Sequence, residues 1–407
     1  MKPKLASHGG PRVRETPLVP EEHLQARFGE EEKRALAEVI DSGHLCRVFG
    51  QRARQFERQA AEYFGVAHAV AVTSGTAAIH CALAAIGVGH GDEVITSPIT
   101  DMGSVIPILA LNAIPVFADV DPKTFNMTAE AVEKSITDRT KAIIPVHLAG
   151  QSCVMEPIIS LAKERGLHVV EDCAQSYLST CDGRQVGTIG DAGCFSLNDF
   201  KHITCGDGGF LISDDEELIS RAALFADKGY PRTGPVRNSL ILGMNYRITE
   251  LQAAVAGVQL RKLASIVQRR RQFANTLNGL LSRIEGVQVP HIADGIEHSY
   301  WFYAFTVDSG RLGATAAAIA KEVTAEGVPV TFPYLGMPVY LFDSIKRTLV
   351  CGSEVSFHRG LCPNAEMVLE EMMVLPCNEC MSERDARDIA DAIGKVCGYH
   401  LSDGIQP

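Results

Sequence analysis

The sequence lacks an excess of positive charge, a long apolar run and an apolar leader. Its 38 Lys and Arg residues are outnumbered by 49 Asp and Glu residues, which gives a formal net charge of -11. Proteins that bind nucleic acid normally carry a basic domain or patch, so this balance argues against such a partner. The longest apolar run, near residues 105–117, is interrupted by Pro107, Asn112 and Pro115 and is too short to span a bilayer. Because the N-terminal segment also lacks the apolar core of a secretory signal, we expect a soluble, cytoplasmic protein with no membrane partner.

The sequence also lacks a convincing set of metal ligands. Its 12 cysteines are scattered and stand mostly in apolar surroundings, as core cysteines of intracellular proteins do. Cys377 and Cys380 form a lone CxxC pair, with Cys351, His358 and Cys362 upstream. A structural zinc site needs four ligands in a suitable arrangement. We therefore interpret these cysteines as loop and core residues and predict no metal, with a zinc site as the alternative.

Length and pattern predict an α/β protein with two domains. The 407 residues suit a large domain plus a smaller one. Apolar strand-like segments alternate with helix-like segments through the first part of the chain, which is typical of a mostly parallel sheet flanked by helices. A long helical pattern over residues 251–284 leads into a different arrangement, with helices at residues 314–325 and 383–396. We predict a large α/β domain with an N-terminal arm over residues 1–262 and a small α+β domain over residues 263–407.

Lys201 lies between an apolar, strand-like approach and a turn rich in glycine. Cys194 and Phe195 precede it in the apolar approach. The turn contains three glycines that let the backbone adopt positive φ or approach a neighbour closely: Gly206, Gly208 and Gly209. A lysine in such a place can act as a Schiff-base nucleophile when its ammonium is partly desolvated and its pKa falls. The alternative is a solvated loop lysine, which is the commoner case.

Two motifs upstream of Lys201 complete a pattern. Residues 169–172 are an apolar run that ends in Glu171 and Asp172, where a buried parallel strand of an α/β sheet presents ligand-binding groups. Enzymes that use pyridoxal 5'-phosphate (PLP) need such a carboxylate beside the pyridinium nitrogen, although a helix N-cap is the alternative. Farther upstream, Ser74-Gly75-Thr76 joins a strand to a helix start, whose free N–H groups suit a phosphate. The order of phosphate site, acid and lysine predicts a PLP site.

With these residues the chain resembles the DegT/DnrJ/EryC1/StrS family of PLP-dependent sugar aminotransferases, within the aspartate aminotransferase superfamily (fold type I). The resemblance extends over nearly the whole chain. The matching segments are residues 4–14, 74–78, 115–121, 145–151, 171–176, 196–209, 245–254 and 362–366. The resemblance implies the fold type I architecture, with a large α/β domain containing a mostly parallel seven-stranded sheet flanked by helices. It also implies a smaller C-terminal α+β domain.

The resemblance further implies roles for individual residues. Lys201 would form the internal aldimine with PLP and then act as the acid–base catalyst of the proton shift. Asp172 would face the pyridinium nitrogen, and Gln175 would flank the ring near its phenolic oxygen. The residues implied for the phosphate are Gly75, Thr76, Ala77 and Ser196. Asn245 would reach the phosphate of the partner subunit, which implies a homodimer with shared active sites.

The function implied is transfer of an amino group from glutamate or glutamine to a keto-sugar or keto-cyclitol, nucleotide-linked or free, through pyridoxamine phosphate. The residues predicted to line the substrate pocket are His147, Gln151, Arg247, His298 and Tyr300. His147, on an apolar strand, could equally be a core histidine. One alternative is a PLP-dependent dehydratase or lyase, but relatives with that activity carry histidine where this chain has Lys201. Another is a regulatory relative without turnover, against which the intact Lys201, Asp172 and Ser196 argue.

One position departs from the family pattern. The family usually places an aromatic residue after a threonine equivalent to Thr100, where it stacks on the cofactor ring. This chain has Asp101 there, and a carboxylate cannot stack and brings negative charge towards the ring. Either Met102 or another group covers the ring, or Asp101 contacts substrate or water, or the alignment shifts by a residue.

Overall fold

The computed structural model describes residues 4–20, 24, 26–232, 238–346, 349–350, 353–354 and 357–401. The strands, in chain order, are β1 (His68–Val72), β2 (Glu93–Thr96), β3 (Ile114–Phe117), β4 (Thr140–Ile144), β5 (His168–Asp172), β6 (Thr180–Cys181), β7 (Arg184–Gln185), β8 (Ala192–Ser196), β9 (Gly209–Ser213), β10 (Val287–Gln288), β11 (Ile296–Glu297), β12 (Tyr303–Val307), β13 (Leu349–Val350), β14 (Ser353–Glu354) and β15 (Met373–Leu375). The α-helices are α1 (Glu30–Ser42), α2 (Arg52–Phe64), α3 (Gly75–Ala85), α4 (Met102–Ala110), α5 (Ala129–Ser135), α6 (Met155–Arg165), α7 (Glu216–Ala226), α8 (Glu250–Leu281), α9 (Ser309–Leu312), α10 (Ala316–Ala325), α11 (Asp343–Lys346), α12 (Pro363–Glu371) and α13 (Glu383–Leu401). Short 3₁₀ helices occur at Ala6–His8, Leu148–Gly150 and Val339–Leu341. Among the described helices, none combines the length and apolarity that a membrane span requires.

A seven-stranded sheet forms the centre of the fold, with the order β1-β9-β8-β5-β4-β2-β3. Neighbouring strands from β8 through β5, β4 and β2 to β3 are parallel, and β9 runs antiparallel between β1 and β8. The predicted α/β fold with a mostly parallel seven-stranded sheet is therefore confirmed.

The sheet is buried on both faces because its strands are apolar and alternate their side chains between two helical layers. Val70 and Val72 of β1 belong to a core that includes α3 and α7, whereas Ala71 belongs to a core that includes α2 and α8. Helix α3 is apolar around nearly all of its surface, since it packs between the sheet and α7. This packing holds the N-terminus of α3 at the carboxyl end of β1.

A second unit follows α8 and is built on the three-stranded antiparallel sheet β10-β12-β15. Its core includes residues from β12, α10 and α13. The predicted boundary at residues 262/263 falls inside α8, which runs through it as one helix. The boundary itself stays a prediction.

The N-terminal arm packs against this second unit, not against the large sheet. Leu5 is fully buried in the core of that unit. The carboxylate of Glu326 accepts the N–H groups of Ala6 at 2.8 Å and Val13 at 3.2 Å. Arg14 makes ion pairs of 2.7 Å to Asp385 and Asp388 on α13. The predicted assignment of the arm to the large domain is corrected, because its partners lie more than 300 positions away along the chain.

Candidate active site

A cavity of about 310 Å³ opens at the carboxyl ends of the parallel strands. It is lined by most of the residues predicted to bind the cofactor: Gly75, Thr76, Asp101, Asp172, Gln175, Ser196 and Lys201. Ser74, from the predicted phosphate turn, also lines it. The remaining lining residues are Ile79, Thr100, Gly103, Ser104, Ala174, Asn198 and Asp207. The cavity lies where α/β sheets generally bind ligands.

The N-terminus of α3 offers two free N–H groups to this cavity. Ser74 caps the helix: its Oγ accepts the N–H of Ala77 at 3.0 Å, and its carbonyl accepts the N–H of Ala78 at 3.0 Å. The N–H groups of Gly75 and Thr76 have no acceptor within the part of the chain that the structure describes. Free N–H groups at a helix N-terminus bind anions, because the helix dipole adds positive potential there. The predicted phosphate contact of Ala77 is corrected, since its N–H is bonded to Ser74 and it does not line the cavity.

Two glycines allow the elements around this helix start to approach closely. A Cβ on Gly75 would lie 2.9 Å from the Cβ of Ser196, at the end of β8. A Cβ on Gly209 would lie 2.3 Å from the carbonyl carbon of Ser74. Both separations are too short for a side chain, so glycine lets the helix N-terminus, β8 and β9 meet at the cavity.

The carboxylate of Asp172 is held at the end of β5 by two donors. Its Oδ1 accepts the N–H of Ala174 at 3.0 Å, and its Oδ2 accepts the hydroxyl of Ser104 at 2.6 Å. The hydroxyls of Ser104 and Thr100 are themselves 2.7 Å apart. The alternative reading of Asp172 as a helix cap does not fit, because no helix follows it. No local pattern indicates Ser104 as a residue of the site, because its contact with Asp172 joins residues 68 positions apart.

Lys201 enters the cavity with its amine beside an aromatic ring. Its Nζ lies 3.8 Å from the centroid of the Trp301 ring. Burial lowers the pKa of Lys201 to about 8, although the carboxylates of Asp172 and Asp101 oppose this by favouring the charged form. A lysine with this pKa carries an appreciable neutral, nucleophilic fraction at neutral pH. The alternative of a freely solvated loop lysine does not fit these surroundings.

Gln175 lines the cavity, and Tyr334 of the second unit lies next to Gln175. The Oε1 of Gln175 accepts the N–H of Ala149 at 2.8 Å, which fixes the amide. Tyr334 lies beside Gln175 and Asp101, and its burial raises the pKa of its phenol. Its ring packs on Phe302 with centroids 5.0 Å apart. The second unit therefore supplies an aromatic residue close to the cavity.

Asp101 caps α4 and is exposed in the cavity. Its Oδ1 accepts the N–H of Gly103 at 2.8 Å, as an N-cap residue does. Met102 does not line the cavity and packs against the apolar cluster that contains Val105. The carboxylate of Asp101 therefore serves as the N-cap of α4. Met102 is not placed to cover a cofactor ring.

His147 is a core histidine, and its prediction as a substrate residue is corrected. Its Nδ1 accepts the N–H of Cys153 at 3.1 Å, so its Nε2 carries the proton and donates to Glu171 at 3.0 Å. Both residues are fully buried. Burial alone would raise the pKa of Glu171, but donors that include His147, Gly187 and Gly190 hold it below its usual value. His147 and Glu171 thus stabilise the turn after β7.

Gln151, His298 and Tyr300 are also buried away from the cavity, and their predicted substrate role is corrected. The ring of His298 stacks on Tyr300 with centroids 3.9 Å apart, and its Nδ1 accepts the Tyr300 N–H at 2.9 Å. Burial, aided by nearby Arg271, lowers the pKa of His298 to about 3, so this ring is neutral. The Nε2 of Gln151 donates to the carbonyl of His291 at 3.1 Å. These side chains hold the junction between the two units.

Asn245 and Arg247 lie outside the cavity of their own chain. Asn245 is exposed and forms an antiparallel bridge with Asp227. Arg247 donates to the carboxylate of Asp227 at 2.6 Å. Asn245 and Arg247 could reach a cofactor or substrate only in the cavity of a second copy of the chain. Their roles therefore stay predictions.

The CxxC segment contributes a carboxylate to the fold. Cys377 is buried, and its thiol donates to the carbonyl of Arg270 at 3.8 Å, whereas Cys380 is exposed. Cys362 is buried in a different apolar cluster, and Cys351 lies outside the described residues. The important residue of the segment is Glu379, whose carboxylate binds two buried arginines.

The site combines a mostly parallel sheet, a free helix N-terminus and a lysine near a strand-end carboxylate. These features are those of an enzyme of the α/β aminotransferase class. A family model described as the DegT/DnrJ/EryC1/StrS aminotransferase family matches residues 26–394. The chain belongs to this family, and it is an aminotransferase. The predicted family and enzyme class are therefore confirmed.

Named relatives and a solved structure agree with this assignment. L-glutamine:2-deoxy-scyllo-inosose aminotransferase of Streptomyces lividus is 35% identical over 423 residues, covering 97% of this chain and 98% of that protein. GDP-perosamine synthase of Caulobacter vibrioides is 36% identical over 347 residues, covering 82% of this chain and 92% of that protein. The X-ray structure of an aminotransferase from Psychrobacter cryohalolentis is 31% identical, with a TM-score of 0.83, and covers 90% of this chain and 96% of that one.

Proposed function

We propose that this enzyme uses PLP to transfer an amino group from glutamate or glutamine to a keto-sugar or keto-cyclitol, nucleotide-linked or free. The observation that carries the proposal is the cavity that joins the N-terminus of α3, the carboxylate of Asp172 and the amine of Lys201. The relatives' names support the substrate class, since one names glutamine and an inosose and the other names a GDP-linked sugar.

The residues of the cavity fit PLP, a cofactor with a phosphate, a pyridine nitrogen and an aldehyde. The unpaired N–H groups of Gly75 and Thr76, with the hydroxyl of Ser196, would hold the phosphate. Asp172 would hold the pyridine nitrogen, and Lys201 would take the aldehyde. When bound, PLP supplies an electron sink that stabilises negative charge at the amino-bearing carbon.

The protein's own groups have two tasks in this chemistry. Asp172, which the donors Ser104 and Ala174 keep in place, favours a protonated ring nitrogen by its negative charge. Lys201 accepts and returns a proton at Nζ, and a pKa of about 8 lets both of its forms exist at neutral pH. Gln175, fixed by Ala149, orients a polar amide at the edge of the cavity.

The proposal includes a homodimer in which Asn245 of one chain completes the phosphate site of the other. Asn245 follows a stretch of exposed apolar side chains: Leu240, Ile241, Leu242 and Met244. Leu242 is 96% exposed in the single chain. Apolar side chains exposed next to a polar group favour an interface between proteins. This arrangement supports a role for Asn245 in a partner's site.

The test is the absorption spectrum of the purified protein with PLP, before and after addition of glutamate or glutamine. The wild type should show the visible band of a lysine-linked cofactor, and the donor should convert it to the amine form. Lys201→Ala should lack the band, whereas Lys163→Ala, which removes an exposed lysine of α6, should behave as the wild type. A band that ignores amino donors would favour the lyase alternative, and absence of PLP binding would favour the regulatory one. Keto-sugars and keto-cyclitols would then be compared by the rate at which they restore the band.

A further inference from the structure

We propose that Trp301 positions Lys201, by holding its ammonium on the indole face and its loop through the indole N–H. Trp301 is thus a positioning residue for the proton-transfer amine. The inference deepens the proposed function and rests on the role of Lys201 stated there.

Two contacts join Trp301 to the lysine. The Nζ of Lys201 lies 3.8 Å from the centroid of the indole ring, well within the range of a cation–π interaction. The indole Nε1 donates to the carbonyl of Phe200, the residue before the lysine, at 2.6 Å. One side chain therefore contacts both the amine of Lys201 and the carbonyl of the residue that precedes it.

The backbone N–H and carbonyl of Trp301 are both hydrogen-bonded, which fixes the position of the residue. Its N–H donates to the carbonyl of Ala149 at 2.8 Å, and its carbonyl accepts Nη1 of Arg270 at 3.0 Å. Arg270 is buried and paired with Glu379 at 2.8 Å. A ring held in this way can select one position for the flexible stem of a lysine.

A second link ties the lysine loop to the same segment. The Nε2 of His202 donates to the carbonyl of Ser299 at 3.1 Å, and His202 is fully buried. The loop is thus bonded to the segment around residues 299–301 on both sides of Lys201. Small movements of the second unit would consequently move the amine.

The charged and titratable groups that face the amine come from several elements. Asp172 at the end of β5 and Asp101 at the start of α4 favour its charged form, and Asp207 also lines the cavity. Burial keeps His202 neutral by lowering its pKa, and burial keeps Tyr334, beside Asp101, protonated by raising its pKa. The indole face adds to the two carboxylates in stabilising the ammonium against the effect of burial.

The chain contains one tryptophan, so Trp301 reports on its own contact with the lysine. The first experiment measures tryptophan fluorescence of the PLP-free protein as a function of pH, with excitation where tyrosine does not absorb. The wild type should show an emission change with a midpoint near the Lys201 pKa of about 8. Lys201→Met should abolish this transition, and Lys163→Met should retain it. The same transition in Lys201→Met would overturn the proposal.

The second experiment measures how the rate of reaction between Lys201 and PLP depends on pH in variants of the ring. Trp301→Leu keeps the site apolar but removes the ring, so its midpoint should fall by about one pH unit, as expected from typical cation–π strengths. Trp301→Phe keeps a ring face and should shift the midpoint less. Phe49→Leu, which changes an exposed ring that does not line the cavity, should match the wild type. An unchanged midpoint in Trp301→Leu would overturn the proposal.

The two experiments separate this inference from the proposed function. If the wild type does not react with PLP, the proposed function fails, while the fluorescence titration still decides whether Lys201 contacts Trp301. If the wild type reacts with PLP but neither readout depends on the ring, the inference alone fails.

Discussion

Replacing Glu379 by glutamine should destabilise the fold by about 3 kcal/mol at neutral pH. One oxygen of Glu379 accepts Nε of Arg27 at 2.9 Å, and the other accepts Nε and Nη2 of Arg270 at 3.1 and 2.8 Å. All three residues are buried. Glutamine has nearly the same shape but no charge, so both guanidinium groups would lose their counter-charge in the interior. Breaking a buried pair in this way typically costs about 3–5 kcal/mol.

The pKa of Glu379 gives an independent magnitude. Burial raises it, but Arg270 and Arg27 together lower it from 4.5 to about 2. A difference of about 2.5 pKa units corresponds to about 3 kcal/mol, at about 1.36 kcal/mol per unit. Because the folded-state pKa is depressed, this stabilisation is fully present above about pH 4.5 and is lost as the pH falls towards 2. The wild type and Glu379→Gln should therefore converge in stability over that interval.

The assay is urea denaturation of the PLP-free protein at neutral pH and at several acidic pH values. Glu383→Gln is the matched control, since Glu383 pairs with Arg387 on the surface of α13 and its side chain is 66% exposed. Exposed helix pairs contribute about 0.3–0.5 kcal/mol, so the control should lose no more than that. A loss below about 1 kcal/mol in Glu379→Gln at neutral pH, or a difference in stability that does not close on acidification, would show that the two arginines do not depend on the charge of Glu379.

Three further predictions concern the cavity. Ser104→Ala removes the donor to Asp172 Oδ2, and a hydrogen bond to a charged group contributes about 1.5–3 kcal/mol. We therefore expect PLP affinity, measured by equilibrium dialysis, to fall about tenfold or more. An affinity equal to that of the surface control Ser160→Ala would contradict this expectation. Asp101→Phe should slow PLP release by placing a ring in the cavity, at a cost of about 1 kcal/mol for the lost helix cap. Asp101→Asn, which keeps a capping side chain without the charge, should release PLP as the wild type does, and unchanged or faster release from Asp101→Phe would show the idea to be wrong. The rate of reaction of Lys201 with PLP should rise with pH up to about 8 and then level off, because the neutral amine reacts and burial lowers its pKa; a rise that continues towards 10.5 would indicate a solvated lysine.

Several parts of the site were predictable because they depend on local sequence. An apolar strand that ends in Asp172, and a strand followed by Ser74-Gly75-Thr76, place polar groups at the carboxyl edge of a parallel sheet wherever the strands lie within it. Lys201, after the apolar strand β8, follows the same logic. Each of these residues lines the cavity, although their catalytic and binding roles stay predictions.

The predictions of substrate residues were wrong where the type of a residue does not reveal which group it contacts. His147, His298 and Tyr300 are polar or aromatic residues next to apolar strands, and such residues can face either a cavity or a core. What decides is whether a donor or ring from elsewhere reaches them, as Cys153 reaches His147 and as the ring of His298 covers Tyr300. Ala77 was assigned to the phosphate because it stands at a helix start, but the cap residue Ser74 already uses its N–H.

Local sequence was enough to predict the alternation of strands and helices and several residues that line the cavity, whereas the family was predicted from motifs along nearly the whole chain. The strands, the helices and the cavity residues follow from patterns within a few residues, since strand and helix periods and caps are local properties. Tertiary packing was needed to show that the arm packs on the second unit, that Glu379 joins two arginines and that Trp301 contacts Lys201. The partners in those contacts lie far apart in the chain, 352 positions for Arg27 and Glu379 and 101 for Phe200 and Trp301. No local pattern specifies such pairs, because they form only when separate elements pack together.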